Sequence, residues 1–169
     1  MDKADKTEQF ISLIESNKGI IYKVANSYCS DTENRKDLIQ EIIIQLWLSL
    51  EKYDSRFRIS TWMYRIALNV SISFYRKENR RSEISRPLPD EILYLEADSD
   101  PPETDPKTAL LQVFIRELKE IDRAVIILYL EENSYQEIAE TLGITVTNVS
   151  TKISVIKQQL KQKFSNLKS

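Results

Sequence analysis

The sequence predicts an all-α protein of two small helical domains joined by an acidic, proline-containing linker, the second domain ending in a helix-turn-helix. Three observations carry that expectation. Apolar residues recur at three- and four-residue spacing through most of the chain, the period of one face of an α-helix. Only two glycines occur in 169 residues, whereas the tight turns of a hairpin-rich sheet depend on them. All five prolines fall between residues 87 and 106, where they separate one helical segment from the next.

Residues 5–16 read as a short amphipathic helix with Phe10, Ile11, Leu13 and Ile14 inward, and 18–29 as a second with Ile20, Ile21, Val24, Ala25 and Tyr28 inward. The polar run from Ser30 to Lys36 interrupts the pattern. In the next helix, 37–51, Leu38, Ile42, Leu46 and Leu50 form one stripe, widened by Ile39 and Ile43. Ile44 and Leu48 point the other way, among Asp37, Gln40 and Glu41. One face suits the domain's own core, and the other, acidic and apolar together, suits a partner. A loop carrying Arg56 and Arg58 leads to a helix over 60–78. There Trp62, Met63, Ile66, Val70 and Phe74 are expected to face the core. Tyr64, Leu68, Ile72 and Tyr75, flanked by Arg65, Asn69 and Arg76, form a second stripe. Rings beside cations suit unstacked bases and their phosphates. A hairpin buried on both sides in a helical bundle would show the same pattern. The first domain spans 1–86.

The linker, 87–107, holds seven Asp/Glu and no Lys/Arg through residue 106. Clustered acids repel and proline removes backbone donors, so an extended segment is expected. Ile92, Leu93, Tyr94 and Leu95 suggest a short docking contact within it. The second domain spans 108–169, with helices over 108–119 and 122–131. Then Ser134 and Glu137 have the spacing of a capping box. A helix runs from there to Leu142, and Gly143 ends it. Thr145 or Thr147 caps a last helix reaching about Phe164. Ile138, Ala139, Leu142, Ile144, Val149 and Ile153 fill the space between the two, a helix-turn-helix pattern. The outward residues are then Thr147, Asn148, Ser150, Thr151, Lys152 and Val155, with Lys157 and Lys161 able to reach phosphates.

Charge is segregated beneath a net −2. Residues 56–86 carry eight Lys/Arg against two acids, and 150–169 carry five Lys and no acid, which argues for polyanion contacts at two places. The chain has no histidine and a single cysteine, Cys29, so a multi-Cys/His zinc site, a histidine-based triad and an internal disulfide are excluded. No metal, cofactor, small-molecule substrate or catalytic residue is expected. Nor is membrane insertion, and a cytoplasmic location follows from the absence of any bilayer-length apolar stretch or signal-peptide pattern.

The motifs DLIQEIIIQLW (37–47), STWMYRIALN (60–69) with FYRK (74–77), and SYQEIAETLGIT (134–145) together resemble the bacterial RNA polymerase sigma factors of the extracytoplasmic-function (ECF) type in the sigma-70 family. The resemblance implies a protein that binds core polymerase, directs it to promoters and helps melt the −10 element. Asp37, Gln40, Glu41, Ile44, Trp47 and Leu48 then correspond to contacts with the β′ clamp helices, and the second domain to contacts with the β flap. Tyr53, Asp54, Ser55 and Arg56 correspond to the loop that captures a flipped base. Asn69 lies beside that loop, and Arg65, Arg76, Lys77, Arg80 and Arg81 lie at the DNA backbone. Thr147, Asn148, Ser150, Thr151, Lys152, Val155 and Lys157 correspond to −35 contacts. The acidic linker resembles the family's connector, and an anti-sigma factor is implied as a partner. Ser71 and Ser73 stand where the family often carries an acid, and Ser150 and Val155 at positions often basic, which implies weaker −35 binding or a shifted preference. A stand-alone helix-turn-helix regulator is the alternative reading. It would bind duplex DNA tightly by itself and would have no use for the acidic-apolar face of 37–51.

Overall fold

A computed structural model describes residues 3–77 and 105–167. Every regular element among them is helical. The chain divides into two compact units, Met1–Asp100 and Pro101–Ser169.

The first unit packs three long helices against one another, α1 (Lys3–Tyr28), α2 (Thr32–Ser49) and α3 (Ile59–Arg76). The segments 5–16 and 18–29 are two helical stretches that meet at a kink and together make up α1. It bends at Asn17, whose φ of −127° is non-helical and whose side-chain amide donates to the Leu13 carbonyl at 3.0 Å. Helix α2 begins earlier than its apolar pattern. Asp31 caps it by accepting from the Asn34 N–H at 3.4 Å, so much of the polar run is its exposed first turn. A 3-10 turn, Leu50–Lys52, closes α2. The core holds Phe10, Ile14, Ile21, Val24, Leu38, Ile42, Leu46, Met63 and Leu68, and Cys29 is buried beside it.

Two expectations about faces are corrected. Helix α3 buries Met63, Tyr64, Ala67, Leu68, Ser71 and Ile72. Trp62, Ile66, Val70 and Phe74 are only half-buried. The helix is rotated from the orientation the heaviest side chains suggest, because Ala67 and Ser71 let its neighbours approach closely on the opposite stripe. Ile44 is the second correction. It is 4 % exposed, part of the unit's own core and not of an outward face.

The second unit contains α4 (Pro106–Arg116), α5 (Glu120–Leu130), α6 (Tyr135–Leu142) and α7 (Val146–Leu167). Asp105 caps α4, which starts on Pro106, ahead of the expected 108. Helix α5 opens at Glu120 and not at Asp122. Phe114 meets Phe164 edge-on at 5.1 Å, and Lys163 pairs with Glu117, which fixes the far end of α7 to α4. Buried Arg123 donates from Nε to the Leu118 carbonyl at 2.7 Å, tying α5 to the turn before it.

The two glycines predict opposite responses. Gly143 has φ +70°, where a Cβ is strained, whereas a Cβ on Gly19, inside α1, meets nothing within 4 Å. Gly143→Ala should lower stability by about 1–2 kcal/mol and Gly19→Ala raise it by about 0.5–1 kcal/mol. Both tryptophans, Trp47 and Trp62, lie in the first unit. In urea titrations, tryptophan fluorescence should therefore report the Gly19 change, and far-UV circular dichroism the Gly143 change.

Candidate polymerase and nucleic-acid interfaces

The outer edge of α2 is built from residues that share one side of the helix. Asp37, Glu41 and Leu48 lie within about 40° of one another at 3.6 residues per turn. Asp37 is exposed, Gln40 and Glu41 are half-buried, and Leu48 is 39 % exposed. Ile44 lies between them but is covered. Trp47 is half-buried, with its ring edge-on to Phe10 at 5.1 Å. Lys6 lies 5.0 Å from the Trp47 ring centre and pairs with Glu51 at 2.8 Å, holding that carboxyl below its usual pKa. The start of α1 thus clamps the end of α2 through residues far apart in sequence. Trp47 is a structural neighbour of this edge as much as part of it.

The loop from Tyr53 to Arg58 is fixed by its own side chains. The Tyr53 hydroxyl donates to the Phe57 carbonyl at 2.6 Å, and the Phe57 N–H returns to the Asp54 carbonyl at 3.1 Å. Asp54 accepts from the Arg56 backbone N–H at 3.0 Å and from its guanidinium at 2.7 and 2.9 Å on one oxygen. The guanidinium holds the Asp54 carboxyl below the usual carboxylate range, chiefly by hydrogen bonding. With its folded pKa depressed, this pairing is complete above the ordinary aspartate range and lost only as pH falls below it. Ser55 and Arg56 are exposed at the tip, the Arg56 side chain by 86 %. Tyr53 packs on Trp62 with ring centres 5.1 Å apart.

Trp62 begins the outward strip of α3. Arg65, Asn69 and Arg76, all exposed, lie within about 40° of one another on the helix, with Trp62 at the same side. The rotation of α3 sets this ring on the side of the helix that carries the cations, against Tyr53 of the loop. The sequence reading placed Trp62 in the core by its apolar stripe, and the structure leaves its ring half-buried. Half-burial and contact with Tyr53 are tertiary facts that no spacing reports. Lys77 follows as the exposed cap of α3. Arg80 and Arg81, like most of the linker, lie outside the described residues.

In the second unit the local signals form as written. Ser134 Oγ accepts from the Glu137 N–H at 3.0 Å, and Glu137 accepts from the Ser134 N–H at 2.9 Å. Gly143 donates to the Ala139 carbonyl at 2.8 Å and turns the chain. Thr145, not Thr147, caps α7, accepting from the Asn148 N–H at 3.0 Å. Ile138, Ala139, Val149 and Ile153 are buried between the helices, and Leu142 and Ile144 are half-buried. Thr147, Asn148, Ser150, Thr151 and Val155 are exposed on α7. Lys152 departs from them. Its ammonium binds Asp122 of α5 at 2.8 Å, with the two side chains 27 % and 24 % exposed. Lys157 is exposed but lies 4.5 Å from the Tyr129 ring centre.

The Sigma-70 region 2 family matches residues 13–81, and the Sigma-70, region 4 family matches residues 108–160. The ECF RNA polymerase sigma factor SigW of Bacillus subtilis (strain 168) is 28 % identical, over 98 % of this chain and 94 % of that protein. The RNA polymerase sigma factor YlaC of the same organism is 31 % identical, over 77 % of each chain. Among solved structures, the sigma factor RpoE of Bartonella quintana, in complex with the anti-sigma factor NepR, has the same fold. Its TM-score is 0.68 at 18 % identity, over 95 % of this chain and 97 % of that one. Among the described residues no helix is long and apolar enough to cross a membrane. The chain belongs to the sigma-70 family of RNA polymerase sigma factors, as one of its ECF type.

Proposed function

We propose that the chain acts in the cytoplasm as a promoter-specificity subunit, without covalent chemistry of its own, and that its three surfaces divide the work. The outer edge of α2, with Asp37, Gln40, Glu41 and Leu48, docks on the clamp helices of core polymerase. The loop Tyr53–Arg56 and the strip Trp62–Arg65–Asn69–Arg76 take the −10 element. Helix α7 takes the −35 element through Thr147, Asn148, Ser150, Thr151 and Val155, with Lys157 at a phosphate. The domains follow the division drawn from the sequence, 1–86 for core and −10, 87–107 as connector and 108–169 for −35. An anti-sigma factor holds the protein inactive, a reading supported by the solved complex of RpoE with the anti-sigma factor NepR.

The observation that carries this reading is the outward strip of α3. A ring half-open to solvent packs on a loop that is already shaped by its own side chains, and an exposed amide and two cations follow it along the same side of α3. Aromatic stacking contributes about 1–3 kcal/mol per base and offsets the few kcal/mol of unstacking. A duplex reader would have no use for such a strip.

The test is gel filtration with core polymerase from the source organism, then run-off transcription. Leu48→Asp should abolish co-elution while leaving the fold intact, since Leu48 is exposed. Ile44→Ala should lower stability by about 2–4 kcal/mol, the cost of a core cavity, and affect binding only through folding. Arg56→Ala, Trp62→Ala and Asn69→Ala should each reduce open-complex formation roughly 10-fold or more and leave co-elution unchanged. Equal loss of both activities in these three variants would refute the assignment of the strip. Tight duplex binding without polymerase would favour the stand-alone regulator.

A further inference from the structure

Helix α7 carries no arginine, the residue that most often reads guanine and grips phosphate. Of the other lysines on it that the structure describes, Lys163 is paired with Glu117, Lys157 lies over Tyr129, and Lys161 is exposed but more than two turns beyond Thr151. Lys152 is the cation nearest the exposed stripe of Thr147, Asn148, Thr151 and Val155, and it is the one tied to another helix of the fold. Its partner Asp122 lies in the first turn of α5, and both side chains are largely covered. A phosphate that recruited Lys152 would have to break a 2.8 Å ion pair and leave the half-buried Asp122 carboxylate without its cation.

We infer that Asp122 withholds Lys152 from DNA, so that α7 reads the −35 element through neutral groups, with Asn148 as the specificity-determining residue. Lys152 is then a positioning residue that orients α7 against α5. Asn148 is exposed in the first turn of α7, where its backbone N–H is already satisfied by Thr145. A side-chain amide in the major groove pairs bidentately with adenine, and the methyl groups of Thr151 and Val155 suit the thymine methyl. This inference rests on the −35 assignment of α7.

Duplexes selected by the wild-type holoenzyme from a pool randomised across the upstream element provide the probe. Holoenzyme affinity for them is measured against salt concentration. Lys152→Gln should leave the slope of log K against log salt at the wild-type value, because no phosphate contact is lost. Asp122→Asn should steepen it by about 1, because one ammonium becomes available. Asn148→Ala should cost roughly 10- to 100-fold on the selected duplex and erase the preference for adenine at one position. A slope reduced by about 1 in Lys152→Gln would overturn the proposal while leaving the −35 assignment standing, and that reading does not depend on how well Asp122→Asn folds. An unchanged slope in folded Asp122→Asn would overturn it as well. If Asn148→Ala, Thr151→Ala and Val155→Ala all leave affinity unchanged, the −35 assignment itself fails and the proposal falls with it.

Discussion

Everything the first unit shows to its surroundings depends on which face of α3 is buried. Met63, Ala67, Leu68 and Ser71 are fully covered, and Tyr64 and Ile72 nearly so, against α1 and α2. Burying a Met or Leu side chain stabilises by about 1.5–3 kcal/mol each. That seam therefore fixes the rotation of the helix firmly. A helix has one rotation, so the same seam sets Arg65, Asn69 and Arg76 outward and leaves Trp62 half-open beside Tyr53. The Ser71 hydroxyl is the cost of the arrangement. It is buried without a hydrogen-bond partner, a defect of about 1–3 kcal/mol. A small side chain there still favours close approach, whereas a carboxylate at the same depth would be far more costly to bury. Position 71 thus belongs to the packed seam of α3 and not to its exposed side.

A second regularity links the two units. Three cations near the candidate DNA surfaces are engaged by the chain itself, Arg56 by Asp54 and Lys152 by Asp122, with Lys157 set against Tyr129. The two ion pairs differ in character. Arg56 is almost fully exposed, so its pairing is screened by solvent and shapes the loop more than it stabilises the fold. Lys152 and Asp122 are mostly covered and belong to different helices, so their pairing is part of how α7 is held. One arrangement leaves a cation available and the other removes it. Sequence charge alone counted both as available.

Local signals were legible in the sequence and tertiary ones were not. The Ser134–Glu137 capping box, the left-handed Gly143 and the helix-turn-helix around Ala139 depend on residues within a few positions, and they formed as read. The core-against-surface assignment of α3 failed because its two apolar stripes are equivalent by spacing, and packing against two neighbours decides between them. Ile44 was misplaced for a related reason. Two stripes on a helix look alike on a wheel, and only the packing of the other helices shows which edges are covered. The break expected near Asn17 is present as a kink, where the backbone leaves helical geometry and the Asn17 amide donates to the Leu13 carbonyl. The pairs Lys6–Glu51 and Lys152–Asp122 join positions 45 and 30 residues apart, beyond the reach of any pattern of spacing.

The weakness of each nucleic-acid surface has a physical consequence for the whole. Affinity for duplex DNA rests largely on neutralised phosphates, and α7 offers few free cations to neutralise them. A second unit bearing a separate contact multiplies affinity only when the two can engage at once, with an effective concentration on the order of mM for a short connection. Two contacts of roughly 100 μM each would then combine to about 10 μM, still too weak to hold a promoter alone. Each contact gains from a scaffold that fixes the spacing, because ordering is then no longer charged to DNA binding. A chain whose last helix offers so few cations to phosphate is therefore suited to reading DNA as part of a larger complex, and poorly suited to reading it unaided.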